Sequence, residues 1–380
     1  MNHPRARVVA LIATLALLGG CASSGGIATW TYPVTAGSVG AGPTATGAAP
    51  GAAASAMPGM SGMPGMSSAT PSGGTSTGTA PSAPIAPDPN APPYQVFNPI
   101  APPLLAGTEH DIDMPIIDKD MTVAAGYVVH TWTFGGQVPG PTIHVHLGDT
   151  VRVHLTNQTA MSHSIDFHAS QMAMNHQMVE IKPGATWTYT FTADYAGVWM
   201  YHCGTAPALL HIANGMFGMV IVEPKGGLSP VDSEFAIVQS EWYLGAQGQP
   251  VDYGKANAAA PAPDFQVFNG VANQYKDNPI QINTGKRIRV YVLDAGPNIG
   301  TSYHVVGTIF DTVIKEGIIL ERGNAGGWGS QAVDLAPAQG AVIEFQTAED
   351  GMYVMVDHAF NFVGKGAVGV FKSGDGDPTN

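Results

Sequence analysis

Cysteine is nearly absent from this chain: its 380 residues contain two, Cys21 and Cys203. One lies near the N-terminus and the other far inside, so a disulfide-stapled class is excluded. Basic residues are also scarce, 15 Lys and Arg against 28 Asp and Glu, for a formal net charge of −13. No basic run stands out, which argues against nucleic acid as a partner. No long stretch keeps a helical period. The apolar run from Val8 to Leu18 is too short to serve comfortably as a membrane-spanning anchor. What is abundant is Gly and Pro, 48 and 30 residues, which points to many turns and a low-complexity segment.

The N-terminus has an order of its own. Arg5 and Arg7 precede the apolar run, and small residues lead to Cys21. Residues 1–20 read as a secretory signal, and the ending "LGGC" resembles a bacterial lipobox with Cys21 as the lipidated residue. Cys203 is then the sole free thiol of the mature protein. Residues 21–93 are rich in Gly, Ala, Ser, Thr and Pro, and read as a disordered tether that buries too little apolar surface to offset its ordering entropy. Within it Met57, Met60, Met63 and Met66 recur every third residue. Thioethers suit Cu(I), and low-complexity tethers also repeat by chance; both readings stay open.

From Tyr94 onward short alternating runs appear, such as "TIHVHLGDTVRVHL", "TWTYTFTA" and "RIRVYVL", separated by Gly, Pro and Asp-Gly signals. This is an all-β pattern of half-buried strands. A weak repeat supports two tandem sandwiches: "FGGQVPGPTIHVHLGDTVRVHL" from Phe134 is echoed from Phe268, and "GVWMYHC" by "GMYVMVDHA". The expected domains are residues 94–228 and 229–374.

The thirteen histidines can be sorted. His3 lies in the signal. His110, His130 and His154 read as solvated or hydrogen-bonded side chains, and the His144/His146 pair as strand decoration. His176 sits among Met172, Met174 and Met178, a soft-donor patch or simply a loop. Six remain: His163, His168, His202, His211, His304 and His358.

Cys203, His211 and Met216 place a thiolate, an imidazole and a thioether on one loop between two expected strands. With His163 as a further imidazole the set is that of a type 1 copper site. The bland alternative is a buried Cys, a core Met and two polar histidines. His202 adjoins Cys203, and neighbours in a strand point to opposite faces, so His202 can hold a second metal. The odd offset of His168 from His163 allows the same. A third imidazole for that metal would come from His304 or His358.

At these residues the chain resembles the copper-containing nitrite reductase family, through "GQVPGPTI", "MSHSIDFHA", "MYHCGTAPALLHIANGM", "SYHVVGTIFD" and "VDHAFNFVGKGAVG". The likeness runs from about Val96 to Lys372. It implies tandem Greek-key cupredoxin-like sandwiches, a homotrimer, and one-electron reduction of nitrite to nitric oxide. It implies type 1 copper on His163, Cys203, His211 and Met216, and type 2 copper on His168 and His202 with His358 from a neighbouring subunit, two coppers per subunit. It also implies catalytic roles for Asp166 and His304. Three departures are Val306, where the family often has isoleucine, the Met-rich loop around His176, and the segment "VFNGVANQYKDNPI". Two other functions compete: a small laccase-like multicopper oxidase, which "HCG" and the low histidine count disfavour, and a tethered copper protein for electron transfer or storage, which would need neither Asp166 nor His304. The expected location is extracytoplasmic, lipid-anchored to a membrane, with a cupredoxin or c-type cytochrome as electron donor.

Overall fold

The computed structural model describes residues 85–322 and 327–374. The expected signal, the Cys21 lipidation site and the methionine repeat lie outside the described residues. Among those described, no helix is long and apolar enough to cross a membrane.

The first half contributes eight strands: β1 (Glu109–Ala124), β2 (Tyr127–Phe134), β3 (Ile143–His146), β4 (Thr150–Asn157), β5 (Asp166–Phe167), β6 (Thr186–Thr192), β7 (Gly197–His202) and β8 (Phe217–Glu223). They form two four-stranded sheets, β2-β1-β4-β6 and β3-β8-β7-β5. The cause is visible in the residues. In β4, "TVRVHLTN", Val151, Val153 and Leu155 are buried and alternate with less buried neighbours, so one face joins the core and the other meets solvent. Strand β8, "FGMVIVE", is buried throughout, because both of its faces are covered. The facing residues, including Ile116, Phe134, Val145, Phe167 and Phe191, form one apolar core. At Gly218, opposite Tyr201 on β7, an added Cβ would lie 2.2 Å from the tyrosine ring, so only glycine fits there.

The second half contributes β9 (Ser233–Trp242), β10 (Phe265–Phe268), β11 (Ile280–Ile282), β12 (Arg287–Asp294), β13 (Thr301–Val305), β14 (Thr312–Lys315), β15 (Ile318–Arg322), β16 (Ala332–Leu335), β17 (Gly340–Gln346), β18 (Gly351–Asp357) and β19 (Val368–Ser373). Its sheets are β10-β9-β12-β17-β14-β15 and β11-β19-β18-β13-β16. The repeat seen in sequence is real in the pairing. The β1–β2 hairpin with β4 running parallel to β1 recurs as β9–β10 with β12 parallel to β9. Likewise β3 parallel to β8 recurs as β11 parallel to β19. The fold is therefore all-β, two cupredoxin-like sandwiches in tandem. A further core containing Met200, Met219, Val238, Trp242, Tyr291 and Val342 joins the halves.

The chain before β1 also bonds to both halves. Asp88 N donates to Gly126 O, Pro92 O accepts from Thr122 Oγ1, and Ala101 N donates to Glu234 O. Residues at the end of the expected tether thus lie against the first sandwich. Helices are short; those that concern the sites are α1 (Met174–Gln177) and α2 (Ala208–Ala213).

Candidate metal centres

The structure brings His163, Cys203 and His211 together in a buried group. His163 follows β4 in a loop whose main chain pairs with Ile181. Cys203 follows the last residue of β7. His211 rides on α2, where the sequence suggests only a loop. The two Nδ1 atoms are 3.1 Å apart, and Cys203 Sγ lies 3.4 Å from His211 Nδ1 and 4.0 Å from His163 Nδ1. Met216 is fully buried in the same core, and its carbonyl accepts from Cys203 N at 3.1 Å, which closes the loop on itself.

The electrostatics of this group are unfavourable for protons. Burial pushes the His163 imidazole down to about 4, and the facing His211 pushes it the same way. Burial also lowers His211 to about 4. Two neutral imidazoles and a sulfur thus bring their donor atoms within 4.0 Å of one another. A soft cation fits that donor set. Trp132 packs its ring 4.9 Å from His211 and 5.9 Å from His163, and Ser164 N donates to the Cys203 sulfur at 3.4 Å. Neither residue stands out in the sequence; the only signal for Ser164 is its place beside His163.

The second group is Asp166, His168 and His202. Pairing of β5 with β7 sets Asp166 opposite His202. The two imidazoles approach through Nε2 at 3.0 Å, nearly perpendicular at 87°. Asp166 Oδ2 lies 3.7 Å from His168 Nε2. His202 Nδ1 donates to Cys203 O at 2.9 Å, which leaves its Nε2 lone pair facing His168. Burial, then the neighbouring His202, lowers the His168 pKa, while Asp166 pulls against them. His202 and Cys203 do face opposite ways, as strand alternation requires. One peptide bond therefore joins the two groups.

His304 and His358 are not part of this cluster within one chain. They sit in the second sandwich with ring centroids 5.5 Å apart. His304 Nδ1 bonds Gln331 O, which leaves Nε2 free to act. Around them Val306, Ile309 and Phe360 are exposed.

Four of the other described histidines have side-chain partners. His110 bonds Asp149, His130 bonds Asp120, and His154 bonds Asp111 and Thr188. His144 is buried between Pro102 O and Glu223, which accounts for it without a metal. His176 lies on α1 and is exposed.

A family profile described as multicopper oxidase matches residues 117–227. A copper-containing nitrite reductase of Neisseria meningitidis serogroup B is 41% identical over 272 residues, covering 69% of this chain and 68% of that protein. The solved copper nitrite reductase from Nitrosomonas europaea superposes with a TM-score of 0.65 at 31% identity, covering 71% of this chain and 95% of its own. The copper-containing nitrite reductase from Thermus scotoductus gives a TM-score of 0.64 at 29% identity, covering 71% and 63%. With this identity and coverage, joined to two His-containing groups of metal-binding geometry, the chain belongs to the copper-containing nitrite reductase family.

Proposed function

We infer that this protein reduces nitrite to nitric oxide, taking up one electron and two protons and releasing water. The observation that carries the reading is the juxtaposition of the buried Cys/His group with the Asp/His group across the Cys203–His202 peptide bond. His163, Cys203, His211 and Met216 would hold type 1 copper. His168 and His202, with His358 of the partner subunit, would hold type 2 copper, giving two ions per subunit. Bound copper supplies the one-electron couple at the first position and a Lewis-acidic anchor for nitrite at the second.

The remaining work falls to the chain. Cys203 and His202, being consecutive, give the electron a short covalent route. Asp166 stands beside His168, where its Oδ2 can pass a proton to a nitrite oxygen. His304, anchored through Nδ1, offers Nε2 for the second proton. Trp132 and the apolar core exclude water from the Cys/His group.

A homotrimer is part of this reading. Among the described residues of one chain the second group has two imidazoles, while His358 stands exposed and His304 half-buried beside the exposed Val306, Ile309 and Phe360. A partner subunit covering that face would bring His358 to a second-group site. Cys21 lipidation, an extracytoplasmic location on a membrane, and a cupredoxin or c-type cytochrome donor complete the proposal. The oxidase reading draws on the multicopper family profile. Side-by-side assays separate the two: nitric oxide from nitrite without oxygen supports the reductase, and oxygen uptake with phenols but no nitric oxide replaces it.

A further inference from the structure

Beside the imidazoles of the second sandwich lies a buried carboxylate with no part in the chemistry above. Asp357 ends β18, is fully buried, and immediately precedes His358. Its Oδ1 accepts from Ser302 N at 3.1 Å and Ala359 N at 2.9 Å. Its Oδ2 accepts from Gln239 Nε2 at 3.2 Å and Gln266 Nε2 at 3.1 Å. Both glutamines are fully buried, on the paired strands β9 and β10 of the opposite sheet. Gln239 Oε1 in turn accepts from Thr301 Oγ1 at 2.7 Å, and His358 N donates to Ser302 O at 2.8 Å.

The consequence is geometric. Thr301 and Ser302 begin the strand that carries His304, and Ala359 lies in the turn that carries His358. One carboxylate ties strand and turn together and anchors both to the sheet behind them. A buried carboxylate facing four donors and no cation is an expensive way to close a strand end. It does, however, fix all four donors at once, which a neutral or apolar side chain does not.

We propose that Asp357, held by Gln239 and Gln266, is the positioning residue that presents His358 and His304 to the second metal group. This rests on the reading that His358 completes that group. Asp357→Asn keeps the size but turns an amide donor toward Gln239 and Gln266, so one of them must turn away or lose its bond. Adding Gln266→Glu gives that amide an acceptor at position 266 and restores the original net charge.

The test uses the full chain, copper-loaded and metal-free. Bound copper, the visible band of the thiolate group and the electron paramagnetic resonance signal of the second copper are measured. Hydrogen exchange is followed in the metal-free protein at Ser302 and Ala359. Asp357→Asn is expected to keep the visible band, lose at least half of the second copper or shift its signal, and exchange both amides about tenfold faster. The Asp357→Asn/Gln266→Glu pair is expected to regain the parent signal. Full copper, an unshifted signal and unchanged exchange would overturn the proposal. So would a visible band that falls in proportion to the second copper, since that is global damage. If Asp357→Asn does not fold, Gln266→Met removes one donor and leaves the carboxylate; an unshifted signal there overturns the proposal too. His358→Ala, run in parallel, must lose the second copper. If it does not, the reading of His358 fails, and the exchange rates at Ser302 and Ala359 still decide whether Asp357 fixes the two segments.

Discussion

Acidifying the metal-free protein probes the Cys/His group without any assay of turnover. His163 and His211 ionise near the ordinary 6.5 in the unfolded chain, but at about 4 in the folded protein, because burial penalises their charged forms. The unfolded state therefore takes up protons first as pH falls. Stability from these groups is complete above 6.5 and is lost between 6.5 and about 4. Each tenfold drop in proton affinity corresponds to about 1.4 kcal/mol, so each imidazole can account for at most about 3.4 kcal/mol. Between pH 7 and pH 5 the loss is about 2 kcal/mol per imidazole, or at most about 4 kcal/mol for the pair. For a protein of this size that lowers the melting temperature by at most roughly 7 °C. Denaturant titrations at pH 7 and 5 measure it directly. The reference is the metal-free His163→Gln/His211→Gln protein, which has no imidazole there to titrate. A parent whose stability falls no more steeply than this double variant would refute the reasoning. Copper, by keeping both nitrogens unprotonated in the folded protein, should make the dependence at least as steep.

Other perturbations test the scaffold. Glu344, 5% exposed, accepts from both Arg287 and the almost fully buried Arg289. Glu344→Ala removes one carboxylate from each guanidinium, while Arg287 keeps Asp311 and Arg289 keeps Glu234, and should cost about 1–3 kcal/mol in urea unfolding; no measurable change would mean that the network is solvated. Phe167 stacks on Phe191 at 4.6 Å and touches Tyr189 and Tyr201 beneath the Asp166–His168 segment. Phe167→Ala should cost about 3–5 kcal/mol and weaken copper binding at the second group before the first; equal loss at both would contradict this placement.

The parts of the site that sequence reading could reach are those encoded locally. Cys203, His211 and Met216 fall within one short stretch, and the opposite faces of His202 and Cys203 follow from strand alternation alone. The alternating runs also announce the β class, since burial on one side of β4 requires that pattern. What lies beyond reach depends on distant pairing. Asp357, Gln239 and Gln266 are far apart in the chain and meet only because two sheets face each other. The helix bearing His211 looks like a loop in sequence, because so short a segment after a proline carries too little periodicity to recognise. Trp132 is one aromatic among many until β2 is seen to pass beside both imidazoles.

The central claim is that Asp166 and His304 supply protons to nitrite while the Cys/His group supplies the electron. The most direct measurement is anaerobic nitric oxide release from nitrite by the copper-loaded full chain with an artificial reductant. The parent, Asp166→Asn and His304→Ala are compared, with the visible band recorded for each. The account predicts release by the parent, a fall of about 10²–10⁴-fold in both variants, and an undiminished visible band. A blue parent protein that releases no nitric oxide, or variants that match its rate, would contradict it.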